Sequence, residues 1–293
     1  MRQALIDLGS NTIKLAVYEW EGKAFSCLRY ECRYGYVVRS IHGRILSDEG
    51  IGRVKSILSE LQEIAAEYGC SAEKGTLCCF STASLRYIDN LQFVIDEVYN
   101  TNSIKIEPIS GEEEAECNYL ALRQVAKTGD FWGADLGGGS MQIIQSIAGK
   151  AAWSQSFPIG SLKLYRDFVS GVLPSKEEAE KICGYVRNQL SEIRLPPERL
   201  PLYLMGGTTR LVTRLLGTKQ FSSGQLAALI EEYLSEPERA KQRICSVTPE
   251  RLNTVLPGML CVAEAAQAIG AVQIQFVETS VREGYLIKHF IHP

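Results

Sequence analysis

The chain has 293 residues, 45% hydrophobic and 22% charged, with a formal net charge of -3. That length admits two domains with cores of their own, and that composition excludes an intrinsically disordered chain. The slight acidity excludes a global attraction for nucleic acid or any other polyanion, so anion binding has to be local.

Residues 4–19 read as two apolar strands joined by the turn Gly9-Ser10-Asn11-Thr12, with Asp7 just before it. The first strand begins almost at once, without the basic segment, apolar stretch and small-residue cleavage site of a secretory signal. Nowhere does the sequence approach the ~20 apolar residues of a membrane span. A cytoplasmic protein with no membrane or nucleic-acid partner is expected.

Ser47 to Tyr68 has helical periodicity, with Ile51, Val54, Leu58, Leu61 and Ala65 on one face, acids in the first turn and Gly69 as the stop. A strand over Leu77 to Phe80 then runs into Ser81-Thr82-Ala83-Ser84-Leu85-Arg86, whose hydroxyls and single arginine suit phosphate oxygens. Ile109-Ser110-Gly111-Glu112-Glu113-Glu114-Ala115 opens another helix. Ser110 and Glu113 have capping-box spacing, so two readings stand side by side: Glu113 caps the helix, or it is a general base aimed at a water.

The polar break Lys127-Thr128-Gly129-Asp130 predicts a boundary between an N-terminal lobe, 1–127, and a C-terminal lobe, 128–293, whose last helix returns to the first. Just beyond it, Asp135-Leu136-Gly137 lines up with Asp7-Leu8-Gly9 on the same strand-turn-strand pattern. Such an internal duplication predicts two similar α/β lobes around a central cleft.

Gly137-Gly138-Gly139-Ser140 can expose several backbone N–H groups on one concave side, a nest for phosphate. A third glycine turn, Met205-Gly206-Gly207-Thr208-Thr209, follows the strand Leu202 to Leu204. Each turn alone reads equally well as a tight hairpin; together they have the three-loop pattern of actin-like folds. Asp7 and Asp135 either accept turn N–H groups or hold Mg²⁺ beside a phosphate. Between these turns, Ser175 to Arg194 is a second amphipathic helix, opened by the capping-box spacing of Ser175 and Glu178.

The nine cysteines lack paired CxxC spacing and are read as reduced, buried thiols. His42, His289 and His292 are uninformative, since two of them stand at the C-terminal end.

Taken in order, Ile6 to Asn11, Ser81 to Arg86, Ile109 to Ala115, Asp135 to Ser140, Phe157 to Ser161, Gly206 to Thr208, Thr248 to Arg251, Leu256 to Gly258 and Arg282 to Gly284 resemble the exopolyphosphatase and guanosine pentaphosphate phosphohydrolase family, in its short two-lobe form. The resemblance implies an actin-like ATPase (ribonuclease H-like) α/β fold and release of terminal phosphate from inorganic polyphosphate or from pppGpp. It places Glu113 as general base and Arg86 as a phosphate-holding catalytic group. Gly9, Ser10, Asn11, Lys14, Ser84, Gly137, Gly138, Gly139, Ser140, Gly207, Thr208 and Arg282 become substrate-binding residues, with Lys163, Arg166 and Arg210 as further cations along a polyanion. Asp7, Asp135 and position 142 become the Mg²⁺ site.

Three departures stand out: Gln142 occupies the place of the family's metal-binding glutamate, Lys14 replaces an arginine, and Thr279-Ser280 replaces a glycine pair. An amide oxygen brings no charge to a metal. Three alternatives therefore stay open: pppGpp as the preferred substrate, a non-catalytic sensor of polyphosphate or alarmone, and a sugar or acid kinase of the same fold. A kinase needs an adenine pocket and a second base, and neither is legible. A homodimer is an open assembly.

Overall fold

The computed structural model describes residues 1–194 and 199–291. The chain forms two compact units: Met1–Cys117 with the described part of Arg282–Pro293, and Asn118–Val281.

In the first unit, β1 (Arg2–Leu8), β2 (Thr12–Glu21) and β3 (Ala24–Tyr34) form an antiparallel meander. A short pair follows, β4 (Ile41–His42) with β5 (Ile45–Leu46), then α1 (Asp48–Glu67), β6 (Leu77–Ser81), α2 (Leu91–Asn102) and β7 (Ile106–Pro108). Sheet order is β3-β2-β1-β6-β7, with β6 and β7 parallel to β1. β1 is buried along nearly its whole length, the signature of a central strand covered on both faces. α1 starts where the Ser47 side chain accepts the Gly50 N–H and buries all five apolar residues of its expected stripe.

α3 (Gly111–Val125) passes from the first unit to the second at Cys117, so the division lies inside a helix and not at the polar break near Lys127. The cause is packing. Its second half carries Leu122 onto Gly133, where a Cβ would lie 2.2 Å from the leucine methyl.

The second unit continues with β8 (Phe131–Leu136), β9 (Met141–Ile147), β10 (Lys150–Phe157), α4 (Ser161–Phe168), α5 (Lys176–Gln189), β11 (Leu202–Met205), α6 (Gly207–Leu216), β12 (Gln220–Ser222), α7 (Ser223–Ser235), α8 (Pro237–Val247), α9 (Leu252–Ala268) and β13 (Gln273–Phe276). Its sheet runs β10-β9-β8-β11-β13-β12, so its first five strands repeat the order and directions of the first sheet. α5 has the expected capping box but ends at Gln189, five residues short of the predicted Arg194. There the Ser191 hydroxyl and N–H both turn onto the Asn188 carbonyl and close the helix.

α10 (Val281–Leu286) and a π-helical turn, Ile287–Ile291, end the described chain and belong to the first unit. Gly284 makes that packing possible, because a Cβ there would come within 1.7 Å of the Cys117 carbonyl oxygen. The nine cysteines are all free, but Cys27 and Cys245 are exposed, contrary to the expectation of burial. Cys27 lies on the edge strand β3, where most side chains face outward. Among the described residues, no helix is long and apolar enough to cross a membrane.

Candidate functional site

Both sheets place their candidate residues at the carboxyl ends of parallel strands, where ligands bind in open α/β sheets. In the first unit these are the ends of β1, β6 and β7.

The β1–β2 turn closes with the Gly9 N–H donating to the Thr12 carbonyl at 3.0 Å. Gly9 is needed there, since a Cβ would lie 2.9 Å from that oxygen. Asp7 is buried and its Oδ2 takes Arg282 Nη1 at 3.0 Å and Lys14 Nζ at 3.5 Å. Arg282 is itself 6% exposed and lies under the Tyr30 ring, 5.3 Å from its centroid. Burial works against its charge, but the neighbouring Tyr18, Glu283 and Asp7 outweigh it and hold its pKa above the ordinary arginine range. Arg282, a candidate substrate cation in the sequence, is thus buried and anchored on Asp7.

Ser84 is also spent internally: its hydroxyl donates to the Leu8 carbonyl at 2.9 Å and braces the β1–β2 turn from β6. The Ile109 N–H bonds the Ser81 carbonyl at 3.0 Å, which brings the start of α3 against the same turn region. Arg86 uses Nε and Nη2 on the Ile109 carbonyl and Nη2 on Glu114 Oε2 at 2.7 Å.

Three consecutive acids in the first turn of α3 have three different jobs. The Glu112 carboxyl is held below its usual range by its own backbone N–H and by the Ser110 hydroxyl, so it stays at the helix start. Glu114 is buried against Arg86. For Glu113, only half of the expected capping box forms: its N–H donates to Ser110 Oγ at 3.1 Å, while its carboxylate turns to the C-terminal segment. Glu113 Oε1 lies 3.1 Å from Lys288 Nζ and 3.2 Å from His289 Nε2.

In the second unit, the β8–β9 turn repeats the same closure, with the Gly137 N–H donating to the Ser140 carbonyl at 3.0 Å. The carbonyls of Gly137 and Gly138 accept N–H groups of Ser161, Leu162 and Lys163 at the start of α4. The N–H groups of Gly138, Gly139 and Ser140 donate to no backbone carbonyl among the described residues. Gly160 permits this close approach, as a Cβ would lie 2.4 Å from the Gly138 and Gly139 backbone.

Gly206, at φ +99°, brings the third turn onto the same loop: a Cβ would lie 2.5 Å from the Leu136 carbonyl and 2.9 Å from Asp135 Oδ1. Gly207 lies under the Arg251 guanidinium, and Gly258 lets α9 pack on Thr208. Gln142 is buried and donates its amide N–H groups to Ser140 Oγ at 2.8 Å and Ser156 Oγ at 2.9 Å. The expected cationic track is largely compensated. Lys163 and Arg166 both pair with Asp167, and Arg210 lies 5.9 Å from the Phe276 ring centroid.

Three buried polar atoms on these turns lack a hydrogen-bond partner among the described residues: Asn11 Oδ1, Ser81 Oγ and Thr208 Oγ1. Buried polar groups are normally satisfied, so such atoms mark places for a ligand or water.

The Ppx/GppA phosphatase family model matches residues 36–291. The chain belongs to that family. It is 22% identical to exopolyphosphatase 1 of Mycobacterium tuberculosis, over 98% of this chain and 88% of that protein. An exopolyphosphatase structure from Cytophaga hutchinsonii superposes with a TM-score of 0.84 at 20% identity, covering 98% of this chain and 97% of that one. The Aquifex aeolicus Ppx/GppA family member gives 0.81 at 22%, with coverage of 98% and 97%. The fold is thus the actin-like ATPase fold of the Ppx/GppA proteins.

Within this family member, sequence reasoning missed Lys288 and His289 as partners of Glu113, and had set His289 aside. No local pattern links positions 113 and 288; the only signal is that the motif Arg282 to Gly284 ends in the glycine that seats α10 on α3. His292 lies outside the described residues. Gly160 and Ser161 were noted as a family motif without a role, and the structure makes them the support of the Gly137 to Ser140 turn.

Proposed function

We propose that this chain hydrolyses the terminal phosphoanhydride bond of inorganic polyphosphate, with Glu113 as the general base. The observation that carries the reading is the division of labour in α3: Glu112 and Glu114 serve the helix start and Arg86, while Glu113 has neither task. The Lys288 and His289 contacts of Glu113 both use Oε1, which leaves Oε2 to orient a water.

In the proposed reaction the water oxygen attacks the terminal phosphorus and its proton passes to Glu113. The bridging P–O bond breaks, giving orthophosphate and a chain shorter by one phosphate. Such a transfer asks for positioning and charge stabilisation more than covalent chemistry. The Gly138, Gly139 and Ser140 amides, the Ser10–Asn11 turn, Gly207 and Thr208 supply donors for phosphate oxygens, and Arg86 supplies a cation.

Magnesium is implied by the family resemblance, with Asp7, Asp135 and Gln142 as its candidate holders. A dication at Asp7 Oδ2 would meet Arg282 and Lys14, which already occupy it. Among the described residues no group of three or more His, Cys, Asp or Glu could hold a metal. Mg²⁺ does not require one: it keeps waters and takes one or two carboxylates plus substrate phosphates. Asp135, with the Gln142 amide opposite it in the strand register, matches that modest donor set. When bound, the ion would neutralise charge on the phosphate oxygens.

Orthophosphate release from polyphosphate, pppGpp and ATP, each with and without Mg²⁺, tests the reading. Polyphosphate turnover above the other two is expected. Faster release from pppGpp would move the substrate to the alarmone, and tight polyphosphate binding without release would make the chain a sensor.

A further inference from the structure

Lys288 stands between two carboxylates of α3, with Nζ 3.1 Å from Glu113 Oε1 and 2.8 Å from Glu116 Oε2. Its place is set by the π-helical turn Ile287–Ile291, a rare geometry that tends to occur at functional sites. The turn is well seated. The Tyr285 hydroxyl donates to Glu107 at 2.6 Å, its ring stacks on Phe80, and His289 lies against its other side with ring centroids 4.1 Å apart. Arg282, one helical segment earlier, is fixed by the buried pair with Asp7.

From this arrangement we infer that Lys288 is a positioning residue for Glu113: it clamps one carboxylate oxygen, so that the other is presented to the attacking water in one orientation. The inference rests on the reading of Glu113 as general base. A simple tether between the C-terminal segment and α3 would be served by Glu116 alone. The additional bond to Glu113 is what a tether does not need.

The other charged or titratable groups around Glu113 are Glu112, Glu114 with Arg86, and Glu116 on or against α3, Cys117 beneath it, and His289 and Tyr285 with Glu107 on the C-terminal side.

The test is polyphosphate hydrolysis by the full chain for wild type, Lys288→Met, Lys288→Arg, Glu116→Gln and Glu113→Gln. Lys288→Met is expected to lower kcat about ten- to a hundredfold with little change in KM, the scale of a misplaced reacting group. Lys288→Arg should restore most of kcat, and Glu116→Gln should stay near wild type. Should Lys288→Met fail to fold, Lys288→Gln, which keeps a donor but not the charge, is read by the same split of kcat from KM.

A wild-type kcat in Lys288→Met, or an equal drop in Glu116→Gln, overturns the clamp while leaving the base reading intact if Glu113→Gln is inactive. Full activity in Glu113→Gln overturns both.

Discussion

The two glycine turns share one backbone frame and differ in what stands across the strand pair. Asp7 is opposite Lys14 in the β1–β2 register, and Asp135 is opposite Gln142 in the β8–β9 register. The closing hydrogen bond is 3.0 Å in each turn. In the first, the acid is buried against Arg282 and Lys14, and that charge cluster fastens the C-terminal segment to its unit. In the second, a neutral amide is tied to Ser140 and Ser156, and the turn is backed by α4 and by Gly206. Duplication has kept the backbone frame while each copy takes its own electrostatic task.

The comparison breaks most visibly if the Asp7–Arg282 pair proves dispensable. Arg282→Met should cost about 3–5 kcal/mol in a urea melt, because it leaves a buried carboxylate without its main partner. Asp7→Asn combined with Arg282→Met should recover part of that loss. A cost below about 1 kcal/mol, the scale of a surface pair, would show that the cluster does not anchor the segment.

In the second turn the expected cost is steric. Gly206→Ala should destabilise by about 1–3 kcal/mol, since its φ and the Leu136 carbonyl both resist a Cβ. Phosphate binding should fall more than with Gly224→Ala, where the nearest atom to a new Cβ is 3.7 Å away.

Gln142→Glu sharpens the contrast in charge. The hydroxyls of Ser140 and Ser156 can turn to donate to the new carboxylate, and an added charge opposite Asp135 should lower the Mg²⁺ concentration for half-maximal hydrolysis about tenfold, or ~1.4 kcal/mol. Weaker substrate binding at every Mg²⁺ level would instead place position 142 against phosphate.

The smallest effect concerns α4, which backs the second turn. Partial burial pushes the Asp167 carboxyl upward, but Lys163 and Arg166 outweigh it and hold it below the usual range. A depressed pKa stabilises the fold above the unfolded value and loses that contribution as pH falls through the folded one. Asp167→Asn should therefore flatten slightly the loss of stability below about pH 4 (), read as the acid dependence of Tm.

What the sequence made legible was whatever is local. The Asp-Leu-Gly hairpins, the Ser47 and Ser175 caps and the glycine turn after β11 each carry their signal within a few residues, and each stands where periodicity and turn chemistry put it. The ion pairs were not legible, since Asp7 with Arg282 and Glu113 with Lys288 are 275 and 175 residues apart in sequence. The burial of Arg282 was not legible either, because sequence shows charge and hides burial. The α5 terminus was misjudged because Ile193 continues the apolar stripe, while the Ser191 bonds that close the helix compete with that pattern.

The central claim is that Glu113, alone among the three acids of α3, performs chemistry. Polyphosphate hydrolysis by Glu112→Gln, Glu113→Gln and Glu114→Gln, with the Tm of each, measures it directly. The account predicts a loss of kcat of about 10²-fold or more in Glu113→Gln with Tm nearly unchanged. Glu114→Gln should lower Tm through Arg86, and Glu112→Gln should change activity little. Equal kcat in wild type and Glu113→Gln, with Tm lowered as for a lost cap, would contradict it.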